Sequence, residues 1–297
     1  MTDKKQDEFY IGWVGKTPPT FAALTKRFVL VLLPVIILLG VLLAVSQKKF
    51  GTGNFEFGTL TEVRGIYFDK PVPNLRVVTG FGLEGNNSFV TIPLIGYGKF
   101  GADGAISDIE KAKHAVLNGK WITLKGTLLY NDGKALMQVD IGDNPITNIA
   151  DVTPHPMTVD SEQLGSITVK GEIIDPKCYF GVMKPGEGKP HEDCAIRCIL
   201  GGMPPMLHVV DGSGRINYYF IVGHDGGKIN NSIKNYIAGP VAITGKAIQY
   251  GDWVVLYTDG PQSITAISKS ALWQPKGSIM ACAAGGTPLK TPTCSVR

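Results

Sequence analysis

The chain has 297 residues, 37 of them glycine, with 18% charged side chains and a formal net charge of +4. That length allows two domains of ordinary size, and so much glycine suits short strands joined by many turns. Lys and Arg never run longer than two in a row, which excludes a nucleic-acid stripe or a polybasic membrane patch.

Residues 28–45 form an unbroken apolar run, FVLVLLPVIILLGVLLAV. As a helix this run spans about 27 Å, close to the roughly 30 Å of a bilayer core. Pro34 and Gly40 are tolerable inside a spanning helix. Lys4, Lys5, Lys16, Lys26 and Arg27 precede the run, and only Lys48 and Lys49 follow it closely. The excess of positive charge before the span predicts a cytoplasmic tail (1–27) and a single integral anchor (28–47) in the inner, cytoplasmic membrane. The body is then periplasmic or extracellular. Phe9, Tyr10 and Trp13 suit the headgroup level. A cleaved signal peptide competes with this reading. However, Ala44-Val45-Ser46 is a poor cleavage site, and both leader and apolar core are long for one.

Beyond the anchor the sequence repeats itself. Val63–Asp69 and Val169–Asp175 each read as a strand reaching an acidic residue. Each copy closes in a hairpin. The first runs from Trp121 to Val139 and turns at Asn131-Asp132-Gly133; the second runs from Val241 to Tyr257 and turns at Gly251-Asp252. Short helices are predicted before each hairpin, over 107–117 and 227–237. In the first, Ser107 and Glu110 have capping-box spacing, and Ile109, Ala112, Ala115 and Val116 supply a core-facing stripe. Gly126 and Gly245 occupy matching strand positions where a sheet can bend into a barrel.

This layout looks like an OB-fold, a small five-stranded barrel with a helix before its closing hairpin. The expected architecture is mainly β: one N-terminal transmembrane helix followed by two tandem OB-like β-barrel domains. They occupy 50–145 and 165–265, joined by a polar linker over 146–164 and followed by a tail over 266–297. OB-folds often bind single-stranded nucleic acid through aromatic platforms in a basic groove. Here the aromatics are scattered and the body is exported, so no nucleic-acid partner is expected.

The copies differ in one place that carries chemistry. Asp69 and Asp175 are offset by 106, Gly126 and Gly245 by 119, so the second copy has gained about thirteen residues. The gain is placed in a loop over 176–206, which holds Cys178, His191, Cys194 and Cys198. Pro190 to Leu200 reads as a helix ended by Gly201-Gly202. On it His191, Cys194 and Cys198 fall within about 60° of one another, and Cys178 folds back from the preceding strand. Three thiolates and an imidazole suit zinc, copper or an iron–sulfur centre. Met183, Met203 and Met206 add soft sulfur favourable to Cu(I).

The competing reading is oxidation, since exported cysteines normally pair. Cys282 with Cys294 would clip the tail, and one disulfide among Cys178, Cys194 and Cys198 would pin the loop and leave one thiol over. No catalytic residues emerge: Lys184–Lys189 lacks P-loop spacing, and no Ser/His/Asp order or haem-attachment motif is present. The expectation is an accessory subunit of a membrane complex, one handling electrons or metal and contacting other subunits. The alternative is an adaptor whose stapled loop and barrels bind neighbouring proteins.

Overall fold

The structure, a computed structural model, describes residues 17–47, 51–80, 88–142, 144–152 and 161–272. It divides into two units, Met1–Phe50 and Gly51–Arg297.

Among the described residues, the first unit holds one helix, α1 (Pro19–Gln47). Proline at its first position is pre-set for helix and forfeits only an N–H that has no partner there. The helix begins well before the apolar run because Phe21, Ala22, Ala23 and Leu24 extend the pattern backwards. After Arg27 it carries no charge through Ser46, whose hydroxyl bonds the Leu43 carbonyl at 2.8 Å. It is long and apolar enough to cross a membrane. The outer lysines and the aromatics Phe9, Tyr10 and Trp13 lie outside the described residues.

The second unit contains two rings of strands. The first uses β1 (Asn54–Phe55), β2 (Thr61–Phe68), β3 (Asn74–Gly80), β4 (Ser88–Ile95), β5 (Trp121–Asn131), β6 (Lys134–Val139) and β7 (Ile146–Ala150), with α2 (Ala102–Lys113) between β4 and β5. Antiparallel pairs link β2 to β3, β3 to β4, β5 to β6 and β5 to β2. A parallel contact of β4 with β6, through Leu94–Met137 and Ile95–Gln138, closes five strands into a barrel. β1 and β7 add to the long strand β5. The stretch from 146 that reads as linker in the sequence therefore begins with a strand of this sheet.

The second ring repeats the scheme with β8 (Ser161–Ile174), β9 (Met206–Val210), β10 (Ile216–Gly223), β11 (Pro240–Tyr250), β12 (Trp253–Thr258) and β13 (Ile264–Ala266). β8–β9, β9–β10, β11–β12 and β11–β8 are antiparallel, β10–β12 is parallel, and β13 adds to β11. The registers match as well: Thr61 faces Gly126 and Ile167 faces Gly245. A Cβ on Gly126 would strike the Gln138 carbonyl, and one on Gly245 the Tyr257 carbonyl. Close backbone approach at the closing hairpin is thus why both copies have glycine there.

Two helix expectations need correction. α2 starts five residues earlier than expected, at a Gly101 cap with no side-chain bond, so Ser107 lies inside the helix and forms no capping box. Glu110 instead accepts the Leu117 N–H at 2.8 Å, and His114 in the left-handed region ends the helix. The buried stripe is accordingly Ala102, Ile106 and Ile109, while Val116 is 68% exposed. Over 227–237 there is no α-helix, only turns and a short 3-10 segment at Lys234–Tyr236. Glycine and asparagine there disfavour helix, yet Ile233 and Ile237 still reach the core.

Three apolar clusters organise the unit. One fills the first barrel, around Leu75, Leu94, Ile122, Leu124 and Met137. A second fills the other barrel, around Ile173, Leu207, Ile221, Ile243 and Leu256. The third joins Val72, Ile95, Leu129 and Leu136 of the first barrel to Ile174, Phe180, Tyr218, Phe220 and Trp253 of the second. Strand alternation makes this possible. On β10, Tyr219 and Ile221 point into the barrel while Tyr218, Phe220 and Val222 point into the junction. The barrels therefore share a core.

Candidate metal centre

The loop between β8 and α3 (Glu192–Leu200) lies at this junction. After β8 the chain makes one wide helical turn over Cys178–Val182, in which Gly181 adopts φ 150°. A side chain at Gly181 would meet the Asn54 backbone of the first barrel. The loop returns past Gly188, whose N–H donates to the Glu172 carboxylate, and enters α3 through His191. Ala195 and Ile199 anchor α3 in the second barrel's core, and Cys198 turns toward the junction. Asn230 donates to the Ile199 and Met203 carbonyls, at 2.6 and 2.8 Å, and so satisfies the C-terminal end of α3.

The thiols of Cys178, Cys194 and Cys198 converge, their sulfurs all within 4.8 Å of one another. Cys178 and Cys198 are buried and Cys194 is partly open, and all three are free. The disulfide expected to pin this loop is therefore not present among the described residues. Burial of Phe180, Ile199 and Met203 holds the loop instead. Cys282 and Cys294 lie outside the described residues.

His191 is placed differently from the helical-face expectation. It caps α3 at φ −105° and ψ −4°, and it does not belong to the group formed by the three thiols. It joins a second group with Asp175 and Cys178, whose ligand atoms also lie within 4.8 Å of one another. Cys178 belongs to both groups. Asp175 and His191 are buried at 0% and 2% exposure, and their Oδ2 and Nε2 atoms have no hydrogen-bond partner.

Two lysines complete the surroundings. Lys99, on the loop between β4 and α2, places Nζ 3.1 Å from Cys194 Sγ and 4.0 Å from Cys198 Sγ. Its hydrogen bond to Cys194 pushes its pKa above the ordinary lysine value. Lys177 is buried and donates to the Gly96 and Gly98 carbonyls, at 2.9 and 2.8 Å. Burial lowers its pKa. Its backbone N–H also bonds Asp175 Oδ1 at 2.9 Å.

Bonding to Cys198, burial and the nearby Asp175 carboxylate all raise the Cys178 pKa, so this thiol holds its proton in the absence of a cation. Burial lowers the His191 pKa, which keeps the imidazole neutral, the form that ligates metal. Cys178, His191 and Asp175 are also the residue types of a thiol nucleophile with its base. A buried thiol with a raised pKa is the opposite of an activated nucleophile, so Cys178 does not fit that role.

Sequence reasoning placed the three cysteines in one loop but did not single out Asp175 as a candidate ligand or either lysine. Lys177 and Asp175 lie within three residues of Cys178 and were legible as polar neighbours. Lys99 is 95 positions from Cys194 and gave no local signal. The Lys177→Met variant keeps the stem but leaves the Gly96 and Gly98 carbonyls without their donor. It should lose about 2 kcal/mol of stability, measured by denaturant unfolding of the full chain in detergent. No loss would mean that the ammonium is not holding the first barrel's loop over the site.

No protein-family profile matches the chain, and a search of curated proteins finds no match.

Proposed function

We propose that this chain is a membrane-tethered, exported accessory subunit of a membrane complex, and that its second barrel carries a thiol-rich centre for copper or zinc. The observation that carries the reading is the convergence of three free sulfurs within 4.8 Å, with the Lys99 ammonium 3.1 Å from one of them. Three soft donors in an apolar junction select soft or borderline metal over Mg²⁺ or Ca²⁺. Supporting the architecture, each ring pairs its strands in the order of an OB-like barrel, with one parallel contact at closure. The one long apolar helix among the described residues, with Lys26 and Arg27 at its N-terminal side, supports an anchor whose body lies outside the cytoplasm.

The test is metal analysis of the full chain purified anaerobically in detergent, beside the Cys194→Ser/Cys198→Ser double variant. The wild type should carry stoichiometric copper or zinc, with its thiols slow to alkylate until the metal is chelated. The double variant should lose at least ten-fold in metal affinity. Metal-free wild type that also takes up neither ion on titration would sink the reading.

A further inference from the structure

A single ion held by Cys178, Cys194 and Cys198 leaves an arrangement at its side unexplained. Asp175 and His191 converge on the same Cys178 from the other direction, and each buries a polar atom with no partner. A buried unpaired carboxylate oxygen and imidazole nitrogen are costly, and native proteins rarely keep two side by side without a use. An ion that took the three sulfurs and His191 would still leave Asp175 Oδ2 unsatisfied.

We infer that the junction binds two metal ions rather than one, with Cys178 as the bridging thiolate. One ion takes Cys178, Cys194 and Cys198; the other takes Asp175, Cys178 and His191. The inference rests on the reading of the three thiols as a metal site and adds the second position.

Charge and softness select the ions. Three thiolates and one carboxylate bring four negative charges, and Lys99 and Lys177 bring two positive ones. Two monovalent ions make the sum neutral, whereas two divalent ions would leave a net double positive charge at a largely buried junction. Around the sulfurs lie the buried side chains of Phe180, Met203 and Met206, which offer no hydration to a hard ion. The thiolates and the imidazole fit Cu(I), and the Asp175 carboxylate is the one hard donor, needed for charge balance at the second ion. Binding displaces the thiol protons to solvent, with no change in oxidation state at copper or sulfur.

The experiment is an anaerobic titration of the full chain in detergent with Cu(I), buffered by a competing chelator, followed by copper X-ray absorption. The wild type should bind two Cu(I) and give a short copper–copper scattering vector. Asp175→Asn, which keeps the shape of the side chain, and His191→Ala should each bind one Cu(I) and lose that vector. Near-ultraviolet circular dichroism reports whether either variant has kept its packing, and the other serves if one has not. One Cu(I) in the wild type, with no copper–copper vector, would overturn the two-ion site while leaving the thiol centre standing. Uptake of two zinc ions but no Cu(I) would overturn the monovalent assignment. Binding of neither ion would overturn the thiol centre itself.

Discussion

Replacing Trp253 with alanine is expected to cost about 4 kcal/mol, the largest stability loss of any single substitution considered for this chain. Trp253 opens β12 and is 2% exposed, yet it lies outside either barrel's own interior. Its ring stands 5.1 Å from Phe220 and 6.1 Å from Phe180, centroid to centroid, and Lys134 Nζ sits 4.7 Å from its centre. Its Nε1–H donates to the Thr91 carbonyl of the first barrel at 2.8 Å. Truncation removes the largest apolar side chain of the junction, leaves a cavity that two rigid barrels cannot close, and strands the Thr91 carbonyl. Trp253→Phe should lose far less, about 1–2 kcal/mol, because it keeps most of the ring area and forfeits the hydrogen bond. Denaturant unfolding of the full chain in detergent reads both variants. If Trp253→Ala costs under 1 kcal/mol, the barrels do not depend on a common core.

The second expected result concerns pH. His208, on β9, is buried against Tyr179, whose hydroxyl lies 2.9 Å from Nε2, and its Nδ1 faces Glu187 Oε2 at 3.3 Å. Tyr218 packs on the same ring and donates its hydroxyl to Asp132. Burial pulls the His208 pKa down from 6.5 to about 4, and Asp132 opposes that only weakly. The unfolded chain therefore takes up a proton near pH 6.5 and the folded chain only near pH 4. Stability from this residue is fully present above pH 6.5 and is lost as pH falls toward 4, by about 3 kcal/mol.

Glu172 and Glu187 respond in the opposite sense. Burial raises both carboxyl pKa values, so the folded state protonates them first and gains stability as pH falls. The histidine's part is therefore read as a difference. The stability gap between wild type and His208→Gln should shrink by about 3 kcal/mol between pH 7 and pH 4. A gap that stays constant with pH would show that His208 is protonated as readily folded as unfolded.

The repeat shows how a sequence comparison can be right in sum and wrong in its parts. The offset between copies is 106 at Asp69 and Asp175, but the ladders match Asn74 to Met206, an offset of 132, before it falls to 119 at Gly126 and Gly245. The second copy has thus gained 26 residues in the loop that carries the cysteines and lost 13 afterwards, part of them where α2 stands in the first copy. Only the net thirteen was visible, because nothing local marks a deletion. The helix expected over 227–237 failed in part for this reason: the connection between β10 and β11 is shorter, and its residues are also rich in glycine and asparagine.

The anchor helix and the two hairpins follow from the chain alone, because their causes are local. An apolar run satisfies its own backbone as a helix, and Asp132 and Gly133 supply the positive φ that a two-residue turn requires. The clustering of three thiols in one loop is legible for the same reason. Only tertiary structure decided that β10 and β12 bury both faces, that Lys99 reaches Cys194 from the other barrel, and that His191 groups with Asp175 and Cys178. Those outcomes depend on which outer faces the two barrels press together, and contacts between residues far apart in sequence leave no periodicity to read.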